Sequence, residues 1–176
     1  FLLPAGPRRV HRDGRRRDGL VTLAPHLDWH GEPVSERLRA TTDLDVVAGN
    51  DARLGAAAEH IRGAGRGFDD LVYLNGGASG IGGGVIAGGE LLGGASGFAG
   101  EIGHTLVTSA GRRCHCGSTG CLETEVAREP LLTALGLSHA LALHETLIAR
   151  AAEPAVAAIV DRQLGYLATA LANTVN

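Results

Sequence analysis

Residues 100–123 read Gly-Glu-Ile-Gly-His-Thr-Leu-Val-Thr-Ser-Ala-Gly-Arg-Arg-Cys-His-Cys-Gly-Ser-Thr-Gly-Cys-Leu-Glu, and this segment carries the strongest structural signal in the chain. It holds every cysteine of the protein together with two histidines: His104, Cys114, His115, Cys116 and Cys121. Three thiolates and one imidazole are the ligand set of a closed tetrahedral zinc site, whereas a catalytic zinc keeps one position open for water. The pattern therefore predicts a structural zinc held by His104, Cys114, Cys116 and Cys121, in a loop that presents Glu123.

The same segment leaves two alternatives open. His115 competes with His104 as the fourth ligand, although both sequence neighbours of His115 would already bind the metal and the strain would be high. The cysteines could also be buried apolar side chains without a metal, but Cys-x-Cys-x4-Cys among glycines fills a core poorly. Because Glu101 and Glu123 flank the cluster, we expect a polar binding site beside the metal.

The composition limits the chemistry that the chain can perform. The chain has 176 residues, enough for one domain or a part of a larger one, and its 16 basic residues are all arginine. The absence of lysine excludes a Walker-type phosphate loop and Schiff-base catalysis, since both need a lysine amine. The formal net charge of -3 gives no general attraction to nucleic acid.

Location and completeness can be predicted from the same composition. The three cysteines form an odd set, which favours a reducing cytoplasm where all three stay available for a metal. No apolar stretch reaches the roughly 18 residues that a membrane-spanning helix needs, so no membrane partner is expected. Methionine is absent and the chain begins at Phe1, so we expect a fragment that lacks both ends.

The chain is expected to consist of an irregular basic stretch over 1–20 and an α/β or α+β domain over 21–176. The arginines of the first stretch are interpreted as a solvated turn, because no interleaved aromatic residues support a nucleic-acid arm. The hydrophobic patterns predict strands at 21–23, 44–48, 71–74, 85–87 and 102–107, and helices at 52–61, 122–135, 140–151 and 155–172. A break is expected in the second helix at Pro130.

Residues 82–87 match the dinucleotide-binding pattern Gly-x-Gly-x-x-Ala. A Rossmann fold needs a helix to follow this pattern, and Gly88 and Gly89 would stop that helix within one turn. We therefore reject a Rossmann unit here and predict a second strand after the glycines.

Two further motifs have both a structural and a chemical interpretation. Asn50 and Asp51 stand where a strand is expected to pass into a helix, and either residue could serve as a helix cap. In the chemical interpretation Asp51 is a general base that removes a proton from a hydroxyl. Residues 76–84 are rich in glycine and either form a hairpin or offer successive backbone N–H groups as an anion nest.

The order of these motifs resembles the ROK family, which includes bacterial sugar kinases and sugar-responsive repressors. The resemblance rests on Gly-Glu-x-Gly-His at 100–104 and on Cys-x-Cys-Gly-x-x-Gly-Cys-x-Glu at 114–123. The glycine-rich segment, the Asn-Asp turn at 50–51 and Ala-Pro-His-Leu-Asp-Trp at 24–29 follow in the family's order. The resemblance implies an incomplete actin-like, ribonuclease H-like α/β fold, with a sugar in the cleft between domains, and a homo-oligomer.

The resemblance also implies roles for individual residues. Sugar hydroxyls would be bound by Asn50, Asp51, Glu101, His104 and Glu123. His104 would use one ring nitrogen on zinc and the other toward the sugar. In a kinase, Asp51 would be the general base that activates the accepting hydroxyl. The phosphates of ATP, bound with Mg2+, would then face Gly80, Gly82, Gly83 and Gly84.

Departures from the family pattern favour a regulator over a kinase. The kinases' phosphate turn Gly-Thr-Gly is replaced by Gly-Ala-Ser-Gly at 77–80, and the family's Asn-Asp-Ala-Asn becomes Asn-Asp-Ala-Arg at 50–53. The N-terminal Asp-x-Gly-x-Thr phosphate motif and the C-terminal adenosine-contacting segment are not in the chain. We therefore expect the sugar-sensing effector domain of a ROK-type transcriptional regulator, which contacts DNA only through a helix-turn-helix upstream of this chain. The alternatives are an ATP-dependent hexose kinase resembling glucokinases, and a structural zinc module without a competent sugar site.

Overall fold

The computed structural model describes residues 19–24, 28–77, 80–95 and 97–176. Expectations for residues 1–18, for Pro-His-Leu at 25–27 and for the Ala-Ser turn at 78–79 lie outside these ranges. The strands are β1 (Leu20–Ala24), β2 (Trp29–Pro33), β3 (Leu71–Gly77), β4 (Gly80–Ala87) and β5 (Glu90–Leu91). The α-helices are α1 (Val34–Thr41), α2 (Asp51–Arg62), α3 (Leu122–Glu125), α4 (Glu129–Leu135), α5 (Leu143–Arg150) and α6 (Pro154–Val175). Single 3-10 turns lie at Ile102–His104 and Ala140–Ala142.

The described strands form two antiparallel sheets, β1 with β2, and β3, β4 and β5 in that order. In the second sheet Leu71 is opposite Ile86 and Gly77 is opposite Gly80, so β3 and β4 form one long hairpin. The strands predicted at 21–23, 71–74 and 85–87 are therefore confirmed. The last two extend into the glycine-rich segment, the first as far as Gly77 and the second starting at Gly80.

The glycines of β4 allow other segments to pack closely on both faces of the hairpin. A Cβ on Gly82 would lie 2.7 Å from Ala52 Cβ in α2, and one on Gly83 would lie 2.8 Å from Ile102 Cδ1. Because neighbouring residues of a strand point to opposite faces, α2 covers one face and the turn at 102–104 covers the other. The absence of side chains at Gly82 and Gly83 thus lets both segments approach the hairpin closely.

Two apolar clusters hold the helices in place, and α6 contributes to both. The first joins the hairpin to α3 and α6 through the buried residues Ile102, Leu122 and Ala170. The second joins α4 to α6 through Leu131, Leu135 and Val156. A buried leucine or valine contributes roughly 1.5–3 kcal/mol. Because Ala170 and Val156 both belong to α6, this helix connects the hairpin and α3 to α4.

Most of the predicted helices are confirmed, with shifted ends. The helices predicted at 52–61, 140–151 and 155–172 correspond to α2, α5 and α6, the second of them preceded by a 3-10 turn. The helix predicted at 122–135 is divided into α3 and α4, and Pro130 lies in the first turn of α4. Proline is favoured at that place because its missing N–H needs no partner there. The helix α1 was not predicted.

Two predicted strands are wrong. Residues 44–48 are irregular, and no described strand lies beside them to complete a ladder. In the segment predicted as a strand at 102–107, the chain first makes a 3-10 turn, because Gly103 packs directly on the carbonyl of Ile81. The rejection of a Rossmann unit is confirmed, since positive-φ glycines at 88 and 89 turn the chain into β5 and not into a helix.

No single helix within the described ranges is long and apolar enough to cross a membrane. The segments Leu122–Leu135 and Ala140–Arg150 reach that length and composition only when taken together, and they meet at 93°. Leu131 and Leu135 of the first segment are buried in the cluster with α6.

Candidate metal and ligand site

The structure brings the four predicted metal ligands together. The ligand atoms of His104, Cys114, Cys116 and Cys121 all lie within 4.8 Å of one another. Cys116 Sγ and Cys121 Sγ are 3.7 Å apart, and His104 Nδ1 is 3.6 Å from Cys114 Sγ. A tetrahedron with Zn–S bonds of about 2.3 Å separates its sulfur ligands by about 3.8 Å. The spacing and the donor atoms of this cluster therefore fit a tetrahedral zinc ion.

Backbone pairing between two parts of the loop creates this convergence. Val107 N donates to Gly120 O at 3.0 Å and Leu122 N donates to Thr105 O at 2.9 Å. These bonds place Cys121 beside the chain that has just passed His104. No side chain would fit at Gly120, because a Cβ there would collide with the carbonyl of Thr108.

A smaller turn positions the other two cysteines. Cys114 N donates to Ser118 O at 2.8 Å and Gly117 N donates to Cys114 O at 3.1 Å. Gly117 has a φ of 95°, a conformation that costs little only for glycine. The turn therefore folds Cys116 back toward the cluster. Cys116 itself is exposed at the surface.

Burial and hydrogen bonding shift the pKa values of Cys121 and Cys116 in opposite directions. Cys114 and Cys121 are buried, with 3% and 0% exposure. Desolvation raises the pKa of the Cys121 thiol to about 12, with the neighbouring cysteines adding to the effect. A backbone hydrogen bond from Ser118 lowers the pKa of Cys116. A Cys121 thiolate at neutral pH thus needs a cation beside it, which is what a zinc ion in the cluster would supply.

The second histidine of the loop, His115, contacts Glu123. His115 Nδ1 lies 3.2 Å from Glu123 Oε1 and 3.8 Å from Cys114 Sγ. The rings of His104 and His115 meet edge to face, with centroids 5.2 Å apart. Among the described residues, the four-ligand group contains His104, whereas His115 belongs to a separate group with Cys114 and Glu123.

The predicted sugar-binding residues are distributed over three places. Glu101 and His104 line a cleft of about 340 Å³, whose other wall includes Val85, Phe98 and Thr174. Glu123 lines a second cleft of about 500 Å³ together with Gly80. Neither of these two clefts is lined by Asn50 or Asp51.

Asn50 and Asp51 begin α2 and make local hydrogen bonds. Asn50 Oδ1 accepts from Arg53 N at 3.0 Å, so this side chain caps the helix. Asp51 Oδ1 accepts from Ala52 N at 2.9 Å and the residue is exposed. The capping interpretation is confirmed for Asn50, and a carboxylate oxygen of Asp51 remains for a ligand.

The four candidate phosphate-binding glycines lie in a strand. Gly82, Gly83 and Gly84 pair with Asn75, Leu74 and Tyr73 of β3. Successive N–H groups of a strand point in alternating directions, so these residues form a hairpin and not an anion nest. Gly80 begins β4 with a φ of 130° and packs against the carboxylate of Glu123. Contact with a phosphate at these residues stays a prediction.

Four arginines were given no role by the sequence patterns, although the structure places three of them in the larger cleft and buries the fourth. Arg112, Arg113 and Arg128 line the larger cleft with Glu123. Arg53 is buried, with 7% exposure, and its Nη1 donates to Gly97 O at 2.8 Å. For Arg53 a signal was available, since it occupies the position where the ROK pattern has asparagine.

Comparison with known proteins identifies the class to which this arrangement belongs. The structure of a ROK family glucokinase from Streptomyces griseus, solved with glucose and AMPPNP, matches with a TM-score of 0.70 at 29% identity. The match covers 90% of this chain and 57% of that one. The chain is thus an α/β protein of the actin-like class that includes sugar kinases. The sequence profile of the ROK family matches residues 13–176, and the chain belongs to the ROK family.

Its curated relatives include both enzymes and repressors. The glucokinase of Halalkalibacterium halodurans is 41% identical over 107 residues, which cover 60% of this chain and 32% of the relative. The xylose repressor of Caldicellulosiruptor bescii is 38% identical over 120 residues, which cover 68% of this chain and 30% of the relative. The chain spans about a third of the length of these relatives. The family membership predicted from the motifs is confirmed.

Proposed function

We propose that this chain is the sugar-binding part of the effector domain of a ROK-type transcriptional regulator. The observation that carries the proposal is the position of His104. Its ring nitrogen lies in the thiolate cluster, while the residue also lines the cleft that contains Glu101. A structural zinc in the cluster would fix this wall of the cleft and would take no part in chemistry.

The residues of the proposed site have chemistry suited to a polyol. Glu101, Glu123 and Asp51 present carboxylate oxygens, which accept hydrogen bonds from sugar hydroxyls. His104 would offer one ring nitrogen to the sugar, while its Nδ1 lies 3.6 Å from Cys114 Sγ and could hold the metal. These groups lie in three separate places, so a sugar held by more than one of them would favour an arrangement of the effector domain that brings them together, and would so alter DNA binding. In this proposal the protein is a cytoplasmic homo-oligomer, with DNA held by a helix-turn-helix outside residues 1–176.

The phosphate turn supports a regulator rather than a kinase. In this chain the turn reads Gly-Ala-Ser-Gly at 77–80, without the threonine of the family's kinases. The glycines that follow are occupied in the hairpin, where Gly82 and Gly84 admit α2. Both observations reduce the groups available to hold a transferring phosphoryl group.

A ROK-family sugar kinase is the second candidate, and two observations favour it. Glucokinases are among the relatives with about 40% identity, and Asp51 lies at the exposed start of α2. In that reaction Asp51 would take the proton of a sugar hydroxyl as the hydroxyl oxygen attacks the γ-phosphorus of ATP and ADP leaves. ATP with Mg2+ would be bound largely by parts of the protein outside this chain.

Calorimetry on the full-length protein tests these candidates. Glucose, xylose and N-acetylmannosamine are titrated with and without ATP and Mg2+, and the products are examined for phosphorylated sugar. We expect a sugar to bind without being phosphorylated. Glu101→Gln should weaken that binding, whereas the exposed Glu90→Gln in β5 should not. Phosphorylated sugar would replace the regulator by the kinase, and sugar affinity unaffected by Glu101→Gln or Asp51→Asn would refute the proposed site.

A further inference from the structure

We infer that Arg53 is a positioning residue of the proposed sugar site, because its guanidinium ties the segment leading to Glu101 to the helix that begins at Asp51. Its Nη1 donates to Gly97 O at 2.8 Å, across 44 positions of sequence. With 7% exposure, Arg53 is one of the two buried polar or charged residues among those described. The inference rests on the proposed function for the identity of the ligand.

The segment that Arg53 contacts has little intrinsic order. Gly94, Gly97 and Gly100 all have positive φ, at 64, 83 and 83°. Glycine loses more backbone freedom on ordering than any other residue, so a segment with three of them is held only if contacts offset that loss. Ala99 N donates to Gly93 O at a long 3.3 Å within the same segment. A side-chain hydrogen bond from a rigid helix is therefore a substantial constraint on Gly97, four residues before Glu101.

The helix end of this connection is itself well fixed. Arg53 N donates to the capping oxygen of Asn50, and the methyl group of Ala52 packs on Gly82 of the hairpin. The main chain of Arg53 thus belongs to the turn that presents Asp51, while its side chain holds the segment that presents Glu101. One residue thereby links the two carboxylates that the proposal assigns to the same sugar.

The electrostatics favour a positioning role over a contribution to stability. A cation in the first turn of a helix opposes the helix dipole, and burial removes its hydration. The carbonyl of Gly97 offsets part of this loss, so the net contribution of the buried guanidinium to stability is expected to be small. Asparagine, which the ROK pattern has here, is a much shorter side chain, so the contact marks a difference between this chain and that pattern.

The test uses the full-length protein with Arg53→Ala, Arg53→Lys and Arg62→Ala, the last being an exposed arginine in the final turn of the same helix. Sugar affinity, hydrogen exchange of residues 97–102 without sugar, and thermal unfolding are measured for each. Arg53→Ala should weaken sugar binding by about tenfold or more, as expected for loss of a charged hydrogen bond, and should speed the exchange of 97–102. Arg53→Lys should recover most of both, because its ammonium can also donate to Gly97 O, and Arg62→Ala should change neither.

Three outcomes would overturn the inference. The first is an Arg53→Ala protein whose sugar affinity and whose hydrogen exchange over residues 97–102 equal those of the wild type. The second is an Arg53→Lys protein as defective as Arg53→Ala, because a positioning contact should be restored by another donor. The third is a loss of affinity that simply follows a lowered unfolding temperature. If the wild-type protein bound no sugar, the proposed function would fail, and hydrogen exchange would still decide whether Arg53 holds the segment.

Discussion

His115 Nδ1 lies 3.2 Å from the carboxylate of Glu123, a contact between the centre of the cysteine loop and the residue at its end. The preceding residue, Cys114, lies between two histidines, since its Sγ is 3.6 Å from His104 Nδ1 and 3.8 Å from His115 Nδ1. His104 lies with the three cysteines, and His115 contacts the carboxylate that lines the larger cleft. The loop therefore gives different neighbours to two histidines that composition alone does not distinguish, and we propose that only His104 is a metal ligand.

This assignment predicts different effects of removing the two imidazoles. His104→Ala should lower zinc affinity by roughly tenfold or more, because a ligand is lost. His115→Ala should retain one zinc per chain and weaken only sugar binding, since Glu123 loses its orienting partner. Zinc retained after dialysis against a competing chelator, with Kd for the sugar, separates the two variants. Equal loss of zinc in both would show that His115 is a ligand.

Removal of zinc should loosen the cysteine loop while the C-terminal helices stay folded. The loop is held by turns and by backbone hydrogen bonds such as those of Val107 N and Leu122 N, whereas Leu131, Leu135 and Val156 form an apolar cluster of their own. Chelation should therefore raise hydrogen exchange over 105–121 and leave α4 and α6 protected. Added zinc should restore the original rates. Exchange in the loop that is indifferent to chelator would mean that no metal supports it.

The cluster could be predicted because its ligands are close in sequence and chemically distinctive. Cys114, Cys116 and Cys121 need only local turns to converge, and His104 is brought to them by the pairing of residues 105–107 with residues 120–122 of the same loop. The clefts were less predictable, because segments far apart in sequence form their walls. Glu101 shares its cleft with Thr174 of α6, and no local pattern indicates that contact.

The two wrong strand predictions, at 44–48 and 102–107, also arise because contacts with other segments decide the local structure. Residues 44–48 have the composition of a strand, but a strand also needs a neighbour, and none is described beside them. The 3-10 turn at 102–104 depends on the contact of Gly103 with Ile81, and the glycine-rich parts of β3 and β4 depend on what packs against β4. Helices α2 and α6 were predictable because their apolar spacing is local.

Because α2 packs closely on the hairpin, a single methyl group added to β4 at Gly84 should lower the stability of the protein. A Cβ on Gly84 would lie 2.6 Å from Ala56 Cβ, whereas one on Gly76 would meet nothing within 4 Å. Gly84→Ala should destabilise the protein by about 1–3 kcal/mol, as overpacking does. Gly76→Ala, in the partner strand, should stay within about 0.5 kcal/mol of wild type. Urea unfolding measures both, and a Gly84→Ala protein as stable as Gly76→Ala would show that α2 can move away from β4 freely.

The ion pair between Arg150 at the end of α5 and Glu153 before α6 should make the stability of the protein depend on pH in the acid range. Arg150 donates to the Glu153 carboxylate from Nε at 2.6 Å and from Nη2 at 2.8 Å, while Nη1 donates to Leu135 O at 3.0 Å. These hydrogen bonds hold the pKa of Glu153 below its ordinary value. A lowered folded-state pKa stabilises the fold above the ordinary carboxyl pKa, and this contribution is lost as pH falls through the lowered value.

Arg150→Ala should therefore return the pKa of Glu153 to its ordinary range and abolish this part of the acid dependence. The size of the effect should be modest, because the pair is exposed to solvent and screened by salt. Carboxyl titration followed by NMR gives the pKa, and urea unfolding across the acid range gives the stability. Glu153→Gln is the control, since it removes the same titration from the other side of the pair. If the pKa of Glu153 were the same with and without Arg150, the hydrogen bonds would not be its cause, and the helix N-terminus that Glu153 precedes would be the remaining source.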